Sequence, residues 1–530
     1  MQSLGTINII QTNQWAYINL DGIPEYAYQQ IIGVCSYIDS GHKFKSAWTR
    51  SQDNGAKWLI EQMPGQPNPR VMRFPVGLMR MVSNAVILVG YTPSVIDESI
   101  LSTPSREFVI NSEVQVRDYQ NKVVETAMNS NRGIMCCPTG SGKTLMAGLI
   151  IGKSGYAHNI FLVHRKELLK QTIGMFKWLF PEEKIGAIGA GYCDIQPITI
   201  AMIQTVSLAL NDPNMDEYGL DYSGEDGEWV ASRRHQIVQA VADAEVIFVD
   251  ECHGIKSRTV FGSTMAFPQP VKIYGMSATP KGGDDDDLWL YGAFNDVLIN
   301  IRPIDLIKQG YLLMPMIRFI RYDASEDLIP ITCTNTRCKK ISMIGTDHNP
   351  GPKGIYICQH CKQERKFQYG YVHKAIINQN EKLHEKIVAE IQQEIDRDYI
   401  VAVCVTHIEL GENMVKRIPG AVLLTSKDSD DRRETVFNAL RARELKCLVT
   451  TLMSEGVDVP ALDTIVIMDG KDEGMYRQRI GRTMRRNPDM LERKYGHVID
   501  VYYENCIFLA KHSRIRYKCC EDEEFLTMII

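Results

Sequence analysis

From about residue 113 to 305 the chain repeats one unit: a short unbroken apolar run, a turn, then an amphipathic stretch. The runs "GIMCC", "IFLVH", "ITIAMI", "EVIFVD" and "VKIYGMSAT" hold too few polar positions to face water on either side. Such runs predict parallel strands covered on both faces by helices, a doubly wound α/β sheet. The same grammar returns after residue 373, with "YIVAVCV", "AVLLTS", "KCLVTT" and "TIVIMD" as strands and "NEKLHEKIVAEIQQEI" as the long helix before them. Two tandem α/β units are therefore expected.

Residues 1 to about 105 read differently. Short apolar runs ("TINII", "WAYINL", "VILVGY") alternate with helix-like segments ("YAYQQIIGVCSYI", "NGAKWLIEQM"), which predicts a small α/β or α+β unit. The acidic, turn-rich stretches 211–228 and 281–287 are expected to be solvated loops. With 44% hydrophobic and 23% charged residues among 530, the chain is long enough for several cores and is not disordered as a whole. A formal charge of −5 excludes a globally basic field, so any nucleic-acid surface is a local patch. "MQSLGTINIIQTNQ" lacks a basic region before an apolar core, and no apolar run nears the ~18 residues that span a bilayer, so a cytoplasmic protein without a membrane partner is expected.

The chemistry begins with "CPTGSGKT", which follows the strand-like "GIMC" and opens the amphipathic "TLMAGLIIG". That context makes Pro138, Thr139, Gly140, Ser141, Gly142, Lys143 and Thr144 a phosphate-binding loop. Its glycines let backbone N–H groups turn toward phosphate, Lys143 reaches the β and γ phosphates, and Thr144 offers a hydroxyl to Mg²⁺. Cys137 stands where the strict pattern has glycine, which introduces a thiol at the loop's base. Further on, "EVIFVDECH" puts two carboxylates directly after an apolar strand, at the end that faces the nucleotide crevice of such a sheet. Asp250 is expected to hold Mg²⁺ through water, and Glu251 to orient and deprotonate the attacking water.

Together these residues resemble the superfamily 2 helicases with a DExH-type box, here "DECH", over residues 113 to 490. The resemblance implies an ATP- and Mg²⁺-dependent motor of two RecA-like P-loop domains. "VRDYQ" is similar to the family's adenine-side motif, which implies Arg117 and Gln120 near the base. "LVHRKELLKQ" and "AMIQT" resemble its strand-contacting motifs, and "SAT" (277–279) the one coupling hydrolysis to domain movement. In the second unit "TTLMSEGVDVP" resembles the motif linking nucleic acid and nucleotide, which implies roles for Gly456 and Asp458. "QRIGRTMRR" implies Gln478 facing the γ-phosphate and Arg482 and Arg485 as arginine fingers; guanidinium groups stabilise charge developing on a transferring phosphoryl group.

Within the superfamily, "RDYQ", "EGVDVP" and "QRIGRTMRR" look closer to the XPB, RecG and UvsW-like DNA motors than to DEAD-box RNA helicases. The resemblance implies a DNA helicase or translocase for branched or forked DNA in replication, recombination or repair, running 3′ to 5′, monomeric on its substrate, in a bacterial or phage-infected cytoplasm. An RNA helicase, a translocase that displaces protein or transcript, and a regulator that uses its ATPase as a timer are the alternatives. The expected domains are an accessory domain at 1–112, a first motor domain at 113–305, a second at 306–500 and an extension at 501–530. The accessory domain resembles that of UvsW-like helicases, but its eight Lys or Arg are matched by eight Asp or Glu, so charge adds nothing to a DNA-contact role. In the extension, "KHSRIRYK" is expected to be a solvated face, with phosphate contact as the alternative.

Most of the fourteen cysteines are scattered, as buried apolar residues are. Four are not. Cys333, Cys338, Cys358 and Cys361 follow C-x4-C-x19-C-x2-C, two short pairs around a folding segment, the arrangement of a four-thiolate Zn²⁺ site. This predicts a zinc ribbon inserted at 323–370. Residues 321–372 carry eight Lys or Arg against five Asp or Glu, which four thiolates on Zn²⁺ nearly cancel, so a structural role is expected before a DNA-clamping one.

Overall fold

The computed structural model describes residues 4–38, 56–210, 225–256, 258–278, 287–335, 337–346, 355–453, 462–468, 473–486 and 494–530. The chain forms two compact units that divide between Ile301 and Arg302, apart from the short loop 138–141, taken here with the strand and helix that flank it.

In the first unit, an eight-stranded sheet runs Tyr192–Asp194, Ile185–Gly189, Ile198–Met202, Asn159–Val163, Val246–Asp250, Lys272–Ser277, Arg132–Cys136, Val297–Asn300. All neighbours are parallel except the antiparallel edge strand Tyr192–Asp194. The apolar runs are central strands: every residue of Asn159–Val163 and Lys272–Ser277 is buried. Non-consecutive strands as neighbours mean helical crossovers on both faces, as the alternating pattern requires.

The N-terminal region adds a five-stranded sheet, ordered Glu61–Gln62, Val71–Pro75, Trp15–Asn19, Thr6–Gln11, Thr92–Asp97. Its core is not separate. Ile9, Ile18, Phe74 and Val82 belong to the same buried cluster as Ile247, Phe261, Leu290 and Phe294 of the larger sheet's layer. The join is close: a Cβ on Gly77 would lie 2.0 Å from the Tyr291 carbonyl oxygen and 2.5 Å from that of Gly292. Trp289 donates its indole N–H to the Tyr37 hydroxyl at 2.6 Å.

Two local expectations fail here. "NGAKWLIEQM" forms strands Ala56–Trp58 and Glu61–Gln62 rather than a helix. Between Gly55 and Pro64 too few residues remain to repay helix nucleation, and the segment pairs with Ser36–Ile38 and with Val71–Pro75 instead. The run "VILVGY" is the end of helix Met79–Leu88, whose buried Val82, Ala85 and Val86 follow helical spacing, and the strand begins only at Thr92. Of the acidic stretch 211–228, residues from Glu225 on are helical and the remainder lies outside the described residues, as does most of 281–287.

The second unit has a seven-stranded all-parallel sheet in the order Val422–Leu424, Cys447–Thr450, Val401–Cys404, Thr464–Ile467, Tyr495–Glu504, Met314–Asp323, Leu526–Ile529. The last strand and helix Leu509–Asp522 make residues 501–530 part of this layer. After Met314–Asp323 the chain makes two antiparallel hairpins, Leu328–Thr332 with Ile341–Gly345 and Ile355–Ile357 with Glu364–Lys366. Their inner residues Ile329, Ile331, Tyr356 and Phe367 join the cluster that contains Val401, Val449 and Ile499, so the insertion is packed on the sheet layer.

Candidate functional site

Three adjacent parallel strands of the first unit end at the chemistry. In register, Asp250 pairs with Met276 and Ser277 with Cys136. The loop after Cys136 turns at Gly140 and Gly142, both at φ 84°, a backbone region open to glycine at little cost. Gly142 caps helix Lys143–Ser154, so the N-terminal amides of that helix point into the loop. Lys143 Nζ lies 3.7 Å from Glu251 Oε1 and 3.5 Å from the Cys137 carbonyl oxygen. Burial pulls the Lys143 ammonium down, but Glu251 and Asp250 outweigh it and raise its pKa.

The two carboxylates share a confined place. Burial, followed by the neighbouring Glu251, pushes Asp250 up to about 7. Glu251 has φ 46°, a strained left-handed conformation for a side-chain-bearing residue, and donates its amide to Asp250 Oδ1 at 3.0 Å. Two half-buried acids against one lysine are short of positive charge, and a divalent cation would supply it. The donor set therefore fits Mg²⁺ with a nucleoside triphosphate: Thr144 and Asp250 would hold the ion, which polarises phosphoryl oxygens when bound.

Residues that motif reading left without a role complete this site. His253 Nδ1 sits 3.1 Å from Ser277 Oγ and 3.4 Å from Glu251 Oε2, joining the acidic box to the strand that ends at the first residue of "SAT". The register of the two strands is the signal, since it sets the residues just past Asp250 beside Ser277. Tyr119 accepts hydrogen bonds from Arg117 and Gln120 at 3.3 and 3.4 Å. Gln120 is buried with its Oε1 accepting the Arg117 amide, and its Nε2 would meet a Cβ on Gly142 at 2.8 Å, so it lies directly on the loop. Cys137 is fully buried, and burial pushes its thiol up to about 12, so the unusual loop residue is a packed, unreactive group.

In the second unit, Gln478 and Arg482 lie on helix Glu473–Thr483 and Arg485 two residues beyond it, bridged to Leu312. Gln478, Arg479 and Arg482 are 5%, 6% and 7% exposed, so this is not a plain solvated basic face. Gly456, Asp458 and Thr279 lie outside the described residues. "KHSRIRYK" is not a uniformly solvated face: Ser513 and Arg516 point inward.

The four cysteines of the insertion converge, with all Sγ atoms within 4.8 Å of one another. Cys333 and Cys361 are 3.7 Å apart, against the ~3.8 Å edge of a tetrahedron with Zn–S bonds of ~2.3 Å. The two hairpins build matching knuckles. In each, the residue after the second cysteine turns left-handed, Lys339 at φ 47° and Lys362 at φ 57°. The Cys333 amide donates to Lys340 O and the Cys358 amide to Gln363 O, at 2.9 and 3.0 Å. The Cys361 amide and the Ser342 hydroxyl hold the Cys358 thiol down at about 5. The geometry is compatible with Zn²⁺. Among the described residues no helix is long and apolar enough to cross a membrane.

A nucleotide loop, an acidic strand end and a second α/β unit with a buried arginine helix define a two-unit P-loop ATPase of the helicase type. The family model described as "Type III restriction enzyme, res subunit" matches residues 113–282, and "Helicase conserved C-terminal domain" matches 379–487. The chain belongs to the superfamily 2 helicases and resembles their XPB members. It is 22% identical over 396 residues to "DNA 3'-5' translocase XPB2" of Sulfurisphaera tokodaii, covering 71% of this chain and 80% of that protein. To "DNA 3'-5' helicase XPB" of Mycobacterium tuberculosis it is 21% identical over 385 residues, covering 71% of this chain and 59% of the relative. The solved structure of bacteriophage T4 UvsW is matched over 99% of both chains at 16% identity, with a TM-score of 0.41.

Proposed function

We propose that the chain is an ATP-dependent DNA helicase or translocase that works on branched or forked DNA. The observation that carries the ATPase part of this reading is the meeting of Lys143 and Glu251 at 3.7 Å beside Asp250, past the ends of two parallel strands that flank Lys272–Ser277. In this reading Lys143 and the loop Pro138–Thr144 hold the β and γ phosphates, Glu251 takes the proton of the attacking water, and Arg117 and Gln120 hold the base. Gln478, Arg482 and Arg485 offset charge that develops as the phosphoryl group transfers, and Gly456 and Asp458 take part in the response to nucleotide. The named activity of the XPB relatives, on DNA in the 3′ to 5′ direction, supports DNA as the track.

The insertion is a zinc ribbon in this account, with Cys333, Cys338, Cys358 and Cys361 as ligands, and metal binding supplies much of the free energy that closes its two small hairpins. The nucleotide reading is tested by Lys143→Ala. It removes a phosphate contact and no core contact, so hydrolysis should be abolished while thermal unfolding is unchanged; turnover near that of the parent would mean that another loop holds ATP.

A further inference from the structure

Helix Glu473–Thr483 has two stripes. Gln478 and Arg482 lie at i and i+4, and Tyr476, Ile480 and Thr483 recur at i, i+4 and i+7 from two residues earlier, with Arg485 just past the helix end. Two residues turn an α-helix by about 200°, so the second stripe is the back of the first. Tyr476, Ile480 and Thr483 are 2%, 0% and 0% exposed.

What holds that back face is polar. The Tyr476 hydroxyl donates to Asp500 Oδ2 at 2.8 Å. Arg516, from helix Leu509–Asp522, donates Nε to the same oxygen at 2.9 Å, Nη2 to Oδ1 at 2.9 Å, and Nη2 to the Val501 carbonyl at 2.9 Å. The Val501 amide also donates to Oδ1, at 2.6 Å. Asp500 is 0% and Arg516 2% exposed. At the rim Arg477 Nε is 2.8 Å from Glu523, which ends helix Leu509–Asp522. At the far end of the arginine helix, Gly496 admits the neighbouring strand so closely that a Cβ there would lie 2.3 Å from the Thr483 carbonyl oxygen.

A buried ion pair is a poor source of stability, because desolvation consumes most of its attraction and a well-packed apolar pair does as well or better. What a directional network supplies is a fixed rotation. A side-chain end lies ~6 Å from its helix axis, so a turn of about 10° moves it ~1 Å, and ~1 Å of misplacement costs about 10²-fold in rate. Resting on the role proposed above for Arg482 and Arg485, we infer that Tyr476, Asp500 and Arg516 are positioning residues that set the rotation of the arginine helix for ATP hydrolysis. Residues 501–530 then contribute to turnover through Arg516, not by contact with phosphate. The adjoining Cys519 and Cys520 are packing groups of this support, with Cys520 Sγ 3.6 Å from the Tyr476 hydroxyl.

The test uses the full chain in three forms: Tyr476→Phe, the double variant Asp500→Leu with Arg516→Met, and Arg485→Ala, each compared with the parent. Steady-state ATPase with single-stranded and with duplex DNA gives kcat and KM for ATP, and a thermal melt gives stability. The expected result is kcat lowered about tenfold or more in the first two, with KM for ATP within about twofold and the double variant melting no lower than the parent. Tyr476→Phe removes one hydroxyl and decides the matter even if the double variant does not fold. Parental kcat in Tyr476→Phe, or in a folded double variant, overturns the inference while a slow Arg485→Ala leaves the arginine reading standing. Parental turnover in Arg485→Ala sinks that reading itself.

Discussion

Glu394 offers a quantitative check on the second unit. The carboxylate is 0% exposed and has four partners: Arg318 at 2.8 Å, Arg397 at 2.7 Å, the Thr464 hydroxyl at 2.6 Å and His497 Nδ1 at 2.9 Å. Burial alone would raise its pKa; the hydrogen bonds of His497 and Thr464 and the charge of Arg318 overcome this and bring it from 4.5 to about 2. A depressed carboxyl stabilises the fold above its unfolded value and loses that contribution as pH falls toward the folded one. The contribution is about 3 kcal/mol at neutral pH; about 1 kcal/mol of it is gone by pH 4 and about 2 kcal/mol by pH 3. Glu394→Gln, which does not titrate, should therefore cost about 3 kcal/mol at pH 7 and visibly less at pH 4. All six tryptophans precede residue 301, so fluorescence does not see this unit; amide hydrogen exchange of helix Glu381–Asp396 does. Exchange about 10²-fold faster in the variant at pH 7, with the gap narrowing about fourfold at pH 4, is expected. A gap that is absent at pH 7, or that stays constant between the two pH values, would mean that the Glu394 carboxylate does not stabilise this unit through its charge.

Gly77→Ala places a methyl 2.0 Å from a backbone oxygen that cannot rotate away, so the shared core of the first unit should lose about 3 kcal/mol or more, seen as a lower urea midpoint by tryptophan fluorescence. A midpoint equal to the parent's would mean that the N-terminal sheet is not seated on Tyr291 and Gly292. Cys137, held at about 12, has a thiolate fraction of ~10⁻⁴ at pH 8, so iodoacetamide should label it about 10³-fold more slowly in the native protein than in urea, by peptide mass spectrometry. Fast native labelling would expose the base of the phosphate loop. A chelator that strips the metal proposed at the four cysteines should loosen amide protection in the two hairpins yet leave ATP binding intact; loss of ATP binding would make the insertion part of the nucleotide machinery.

The central strands were readable because burial on both faces leaves unbroken apolar runs such as "IFLV" and "VIFV", repeated in alternation with amphipathic stretches; a lone run such as "VILVGY" does not tell strand from helix. The phosphate loop and the four-cysteine spacing were readable for a related reason: local backbone geometry and ligand count fix residue types at short, fixed intervals. Elements decided by partners were not. "AKW" becomes a strand because Ser36–Ile38 is there to pair with it, and no periodicity within the segment records that. Arg516 looks like one member of a basic run until Asp500, sixteen residues earlier, is seen beneath it. The pairing of His253 with Ser277 depends on two strands separated in sequence becoming neighbours in the sheet. Motifs carry the chemistry of the site, but the contacts that hold its parts in register are long-range and have no short pattern.

The most direct test of the account is ATPase turnover of the purified protein measured alone, with single-stranded DNA, with duplex, with forked DNA and with RNA, beside Lys143→Ala. Stimulation by DNA, strongest with the fork, is expected, with no hydrolysis in Lys143→Ala on any of them. Stimulation by RNA alone would contradict this.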